Sequence, residues 1–230
     1  MPDYEIKEWN EDNFDVNIIP YVKEAYEAKK YAFVSDYARF WILYHYGGLY
    51  FDTDVEIIRN MDDIISRGPF MGRENEFKKG ADTVGVAPGL GLGCYAGHGL
   101  YKEILDFYQP LHFVNPDGSL NLHTVVEYTT SILLKHGLQD KDEIQESAGV
   151  YIYPKEYFCP KSYDDLVICK TDNSVSIHHF AASWMSSGAQ KKHRKDAFLL
   201  RHPLIGWLSH HFDDLRIRLA IRTRIKKIFH

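Results

Sequence analysis

The stretch that most constrains this chain is the junction Gly47-Gly48-Leu49-Tyr50-Phe51-Asp52-Thr53-Asp54. A helix-period segment runs into it, with Phe40, Leu43 and Tyr44 at i, i+3 and i+4 spacing. Two glycines then stop the helix, because glycine accepts the left-handed backbone of a C-cap. Residues 49–58 open apolar and predict a strand. A helix that ends on Gly-Gly and passes at once into an apolar strand is a joint of layered α/β architecture. In such a strand residues i and i+2 point to the same side, which sets the Asp52 and Asp54 carboxylates together. Two carboxylates so placed repel unless a cation lies between them, so the pair favours a divalent metal. The strand's end would carry the pair to the sheet edge, where ligands bind in open α/β sheets. A bare D-x-D is common, and its plain alternative is a solvated acidic turn.

The rest of the chain alternates in the same way. Residues 3–9 alternate polar and apolar side chains and predict a short strand, and residues 20–33 a helix. Ser35 is a suitable N-cap for a helix over residues 36–46. Helices are predicted over residues 100–108 and 123–136, and strands over 69–72, 150–153 and 174–180. Residues 80–93 are glycine-rich and predict a loop with strand pieces, while residues 196–229 predict two amphipathic helices broken near Pro203 and Gly206. With no internal repeat, the fold class is α/β, as residues 1–190 plus a basic tail, 191–230.

The context of the carboxylate pair is specific. Ser35-Asp36-Tyr37-Ala38-Arg39 is followed by Leu43-Tyr44 and then by Gly47-Gly48-Leu49-Tyr50-Phe51-Asp52-Thr53-Asp54. With these positions at these spacings the chain resembles the DXD-containing sugar transferases of glycosyltransferase family 32, and through them the glucosylating domains of large clostridial toxins. The resemblance runs through Ser176-Ile177-His178-His179-Phe180 to Ser183-Trp184 and covers roughly residues 3–190. It implies a GT-A-like fold, a mixed central sheet flanked by helices, here with C-terminal amphipathic helices. It also implies a nucleotide-diphosphate sugar donor (a UDP-sugar favoured), Mn2+ or Mg2+, a saccharide or lipid-linked acceptor, and retention of configuration in surface (capsular) polysaccharide synthesis.

Carried over residue by residue, Asp54 would ligate the metal, and Asp52 would face the metal and the ribose side of the donor. Asp36 and Arg39 would contact the donor sugar, and Tyr50 would line the donor site. Asp36 and Arg39, three apart on a helix, share a face and form an acceptor–donor clamp; the plain alternative is a surface ion pair. Adjacent strand residues face opposite sides, so at most one of His178 and His179 is expected to reach the metal; the resemblance implies a late His ligand followed by an aromatic, which His179-Phe180 fits better than His178. Ser183 and Trp184 match positions that close over the diphosphate, and the indole N–H of Trp184 is a donor suited to a phosphate oxygen. Relatives begin with a further strand ahead of the segment that starts here at Met1.

Residues 85–99 (GVAPGLGLGCYAGHG) hold no G-x-x-x-x-G-K-[ST] phosphate loop. They are expected to line the pocket beneath the sugar, where small residues let backbone approach closely. A haloacid-dehalogenase-like phosphatase would need Thr or Val where Glu56 stands. A non-catalytic nucleotide-sugar or carbohydrate-binding relative is the alternative of a different class.

Charge and cysteines set the remaining expectations. Residues 190–230 hold eleven Lys/Arg against three Asp, about +8, in a chain of net charge −5, so an acidic body carries a basic tail. Basic residues interleaved with Phe198, Leu199, Leu200 and Trp207 have the composition of an interfacial helix on anionic lipid. The alternative is packing of the tail on the acidic body. No reader motif for nucleic acid is present. Cys94, Cys159 and Cys169 are scattered, with no C-x-x-C pair, which argues against a zinc site or disulfide framework. The polar N-terminus lacks a signal-type apolar run and no stretch is long enough to span a bilayer. The expected location is cytoplasmic, peripheral at the inner face of the plasma membrane.

Overall fold

The computed structural model describes residues 4–74, 85–141, 143–181 and 185–205. Two compact units divide the chain: Met1–Lys161 with Cys169–Trp184, and Ser162–Ile168 with Met185–His230.

In the first unit the helices are α1 (Pro20–Glu27), α2 (Tyr31–Tyr46), α3 (Asp62–Arg67), α4 (Gly99–Tyr108), α5 (Val125–Lys135) and α6 (Lys155–Phe158). Its strands are β1 (Gly48–Tyr50), β2 (Val55–Ile57), β3 (Phe70–Gly72), β4 (Leu92–Cys94), β5 (Gln145–Ser147), β6 (Val150–Tyr153) and β7 (Ser176–His178). Five strands form one sheet in the order β1-β4-β3-β6-β5, and β2 pairs with β7 in a separate antiparallel ribbon. Among the described residues only the β3–β6 pair is parallel, so the sheet is mixed.

Alternation along these strands builds two apolar layers. Met71, Leu92 and Ile152 face the core formed by α1, α2, α4 and α5, with Tyr21, Val22, Phe40, Leu43, Tyr101, Ile104 and Leu133. Phe70 and Tyr153, one residue along, face the other way, onto Met61 just before α3, Ile64 of α3 and Phe158 of α6. Side chains of this size contribute about 1.5–3 kcal/mol each when fully buried. The result is a mixed α/β sheet flanked by helices on both faces, consistent with the GT-A-like expectation.

Several local expectations change. The helix expected over residues 20–33 ends at Glu27, because Lys29 takes a left-handed backbone (φ 57°). The next helix starts at Tyr31 rather than beyond Ser35. Ser35 is not its cap: its hydroxyl donates to Ala32 O at 2.7 Å, inside the first turns. The end at Gly47 is as expected, with φ +68°. Residues 49–58 are not one strand. They break into β1 and β2, in two different sheets, with Asp52 and Asp54 in the turn between them. No strand forms over residues 4–9. Helix α5 starts on a capping box, Thr124 with Glu127, which satisfies otherwise orphaned backbone donors. Cys94, Cys159 and Cys169 are free thiols.

The second unit contains α7 (Ser187–Arg201), capped by the Ser186 hydroxyl, which accepts from Ala189 N at 3.3 Å. The Tyr163 ring stacks on His193 with centroids 4.2 Å apart. Lys191, Lys192, Arg194 and Lys195 are exposed along α7. The tail expected beyond residue 205 lies outside the described residues. Among the described residues no helix is long and apolar enough to cross a membrane.

Candidate metal and donor site

The site is assembled from the C-terminal ends of β1 and β7, one face of α2 and the glycine-rich loop before β4. On α2, Arg39 Nη2 lies 2.8 Å from Asp36 Oδ1, the i,i+3 pair expected from the sequence. The pair is not on the surface: Arg39 is 4% exposed and Asp36 8%. Arg39 Nη1 lies 3.4 Å from Asp52 Oδ1, and Arg39 Nε donates to Ser35 O at 3.0 Å. The guanidinium lies 4.8 Å from the centre of the Tyr50 ring, and the Tyr50 hydroxyl donates to Asp52 Oδ1 at 3.0 Å. One buried cation thus joins two carboxylates from different elements. Burial raises the Asp36 carboxyl to about 6; Arg39 opposes the rise, and the like charge of Asp52 adds to it.

Asp52 rests directly on the glycine-rich loop. Its backbone N–H donates to Gly89 O at 3.0 Å. A Cβ on Gly89 would lie 2.0 Å from Asp52 Oδ2 and 3.3 Å from Arg39 Nη1. Only a residue without a side chain allows this approach. The loop expected to line the pocket beneath the sugar lies under the acidic pair, and Gly89 is not singled out by any local motif.

Asp54 is held from the other side, by the end of β7. The register pairs Val55 with His178, so the imidazole stands beside Asp54. His178 Nε2 lies 3.1 Å from Asp54 Oδ1, Ala181 N donates to Asp54 Oδ2 at 2.7 Å, and His179 N donates to Asp54 O at 2.9 Å. Asp52, Asp54 and His178 each place one ligand atom within 4.8 Å of the others.

The imidazole that joins the carboxylates is therefore that of His178, not His179. Strand alternation lets one of the two face the carboxylates, and the β2–β7 register, not the aromatic that follows His179, decides which. His179 points away, with Nε2 2.9 Å from Glu56 Oε2, and is exposed. Burial lowers the pKa of His178, with Asp54 and Asp52 opposing, which favours the neutral imidazole that ligates metals. Its Nδ1 is buried without a hydrogen-bond partner among the described residues. Two carboxylates and an imidazole form a mixed oxygen and nitrogen set, and these three side chains fit a divalent cation.

Asp36, Arg39, Tyr50, Asp52 and Asp54 are thus brought together, and His178 joins them. Ser183 and Trp184 lie outside the described residues. Sequence reasoning missed Lys161, whose Nζ donates to His179 O at 2.7 Å beside this cluster; nothing in its local sequence marks it.

Residues 1–71 match the family model of the glycosyltransferase sugar-binding region containing DXD motif. That stretch, about a third of the chain, carries α1, α2, β1, the Asp52-Thr53-Asp54 turn, β2 and α3. No curated protein and no solved structure matches the chain.

Proposed function

We propose that the chain is a metal-dependent, retaining glycosyltransferase that moves a sugar from a nucleoside-diphosphate donor, a UDP-sugar favoured, to a saccharide or lipid-linked acceptor. The match of residues 1–71 supports glycosyl transfer by a DXD-type domain. The observation that carries the finer reading is the convergence of Asp52, Asp54 and His178 next to the buried Asp36–Arg39 pair.

Each residue has a role in this reading. Asp52, Asp54 and His178 would hold the divalent cation. That cation supplies Lewis-acid neutralisation of a diphosphate leaving group. Arg39 keeps Asp36 and Asp52 at fixed positions while offering its remaining Nη1 N–H to a sugar hydroxyl, and Asp36 accepts from another. The cradle is assembled before substrate arrives, so it costs no reorganisation during reaction. The Tyr50 hydroxyl orients Asp52. Ala181 N and the backbone of His179 orient Asp54, as outer-shell groups orient the ligands of metal sites. The anomer formed, read by NMR, tests retention.

The basic face of α7, with Lys191, Lys192, Arg194 and Lys195 exposed, supports a peripheral contact with an anionic membrane during surface polysaccharide synthesis, at the cytoplasmic face. Flotation with anionic liposomes, of the protein and of a variant with Lys191, Lys192, Arg194 and Lys195 all replaced by Gln, tests that contact; unchanged flotation of the variant overturns it.

The central test is calorimetric binding of UDP, GDP and CDP, with and without Mn2+, to the protein and to Asp54→Asn. One diphosphate should bind only with metal, and the substitution should abolish that binding. Metal-independent binding, or binding untouched by Asp54→Asn, rules the reading out.

A further inference from the structure

Lys161 lies in no motif, yet the fold delivers its ammonium to the site. The segment leading to it runs along β7. Val175 N donates to Tyr157 O at 2.8 Å, and the Ser176 hydroxyl donates to Phe158 O at 3.3 Å. Next along the chain, Cys169 N donates to Pro160 O at 2.9 Å. Lys161 Nζ then donates to His179 O at 2.7 Å, while the N–H of the same His179 donates to Asp54 O at 2.9 Å. One residue's backbone therefore carries the ammonium on one side and the Asp54 main chain on the other.

We propose that Lys161 binds the diphosphate of the nucleotide donor beside the Asp52–Asp54–His178 cluster, an inference that rests on the glycosyltransferase reading above. An ammonium has three donors; one is given to His179 O, and two remain. The carboxylate nearest in charge, Asp54, has both its oxygens engaged already, by His178 and by Ala181 N. Electrostatics agree with this placement. The Asp54 carboxylate is the acidic group that acts on the Lys161 ammonium. Once a divalent cation engages Asp54, the lysine's charge is left for an anion. A diphosphate is the anion this donor class brings, and lysine is a compact point charge widely used for phosphate.

The test compares UDP with UMP, and GDP with GMP, in the presence of Mn2+, on the wild-type protein, Lys161→Met and Lys161→Arg. Charge-assisted hydrogen bonds of this kind correspond to about tenfold or more in affinity. Lys161→Met should weaken the diphosphate by that factor and change the monophosphate much less, with Lys161→Arg in between. Mn2+ affinity measured alone by the paramagnetic resonance of free ion should not fall. Equal weakening of di- and monophosphate, which marks a merely structural role at the end of β7, overturns the inference, as does an unchanged diphosphate affinity. If the wild type binds no nucleoside diphosphate with Mn2+, the glycosyltransferase reading fails, and this inference with it.

Discussion

Gly89 lies so close under Asp52 that a Cβ there would come within 2.0 Å of the carboxylate Oδ2. The loop and the acidic turn are also tied by the Asp52 N to Gly89 O hydrogen bond. Any side chain at position 89 must displace Asp52 and, through it, Arg39. Gly89→Ala is therefore expected to weaken Mn2+-dependent nucleotide binding by at least about tenfold, the cost of roughly 1.4 kcal/mol. The fold should survive, because the clash falls on a turn and not on the central sheet. Calorimetry with a circular dichroism control checks this; full affinity in Gly89→Ala would show that the approach is not needed for binding.

The two histidines of the β7 end make a sharper comparison. His178 stands with Asp52 and Asp54, whereas His179 pairs with exposed Glu56. His178→Ala is expected to lower Mn2+ affinity by about tenfold or more, in the range seen when a group supporting a metal site is lost. His179→Ala is expected to leave it within about twofold, since an exposed ion pair contributes little. Titration of Mn2+ by paramagnetic resonance distinguishes them, and the reverse order would restore His179 as the ligand.

Arg39 answers two carboxylates from inside the protein. Removing it leaves Asp36 buried without a counter-charge, a change that costs about 3–5 kcal/mol. Arg39→Met should show that loss in chemical denaturation. The Asp36→Asn, Arg39→Met double variant should lose clearly less than the sum of the single losses, because the groups act together. Additive losses would mean that the pair is not coupled.

His98 gives a pH dependence with a definite sign. The residue is 4% exposed and caps α4, its Nδ1 accepting from Leu100 N at 3.3 Å. Burial lowers its pKa, opposed by the backbone at Gly149. Its folded value lies below the usual histidine value of 6.5, so the unfolded chain takes up a proton first as pH falls. The stabilisation is complete above that value and is lost as pH falls towards the lowered folded one. Melting temperatures between pH 7.5 and 5 should drop more steeply in the wild type than in His98→Asn, which keeps an acceptor for the cap. Parallel curves would exclude His98 as a source of the slope.

Much of the architecture could be read from periodicity. The strands at residues 69–72 and 150–153 and the helix ends at Gly47 and Tyr108 follow from local rules of side-chain spacing and glycine conformation. β5, α3 and α6 escaped, being three to six residues long and stabilised by their neighbours more than by their own pattern. The strand expected over residues 3–9 fails for the complementary reason: alternation without a partner makes no ladder.

The sequence by itself determined which residues could do chemistry here: a carboxylate pair two apart, and an acid and a base one helical turn apart on α2. Those depend on composition and short spacing, which the chain carries wherever it folds. Tertiary structure alone decided what surrounds them. The β2–β7 register chose His178 over His179, 124 residues from Asp54. The approach of the loop before β4 gave Gly89 its role beneath Asp52, and the path along β7 delivered Lys161. Such long-range placements come from sheet register and close packing, where one residue of slippage along a strand reverses every side chain, and no local spacing in the chain encodes them.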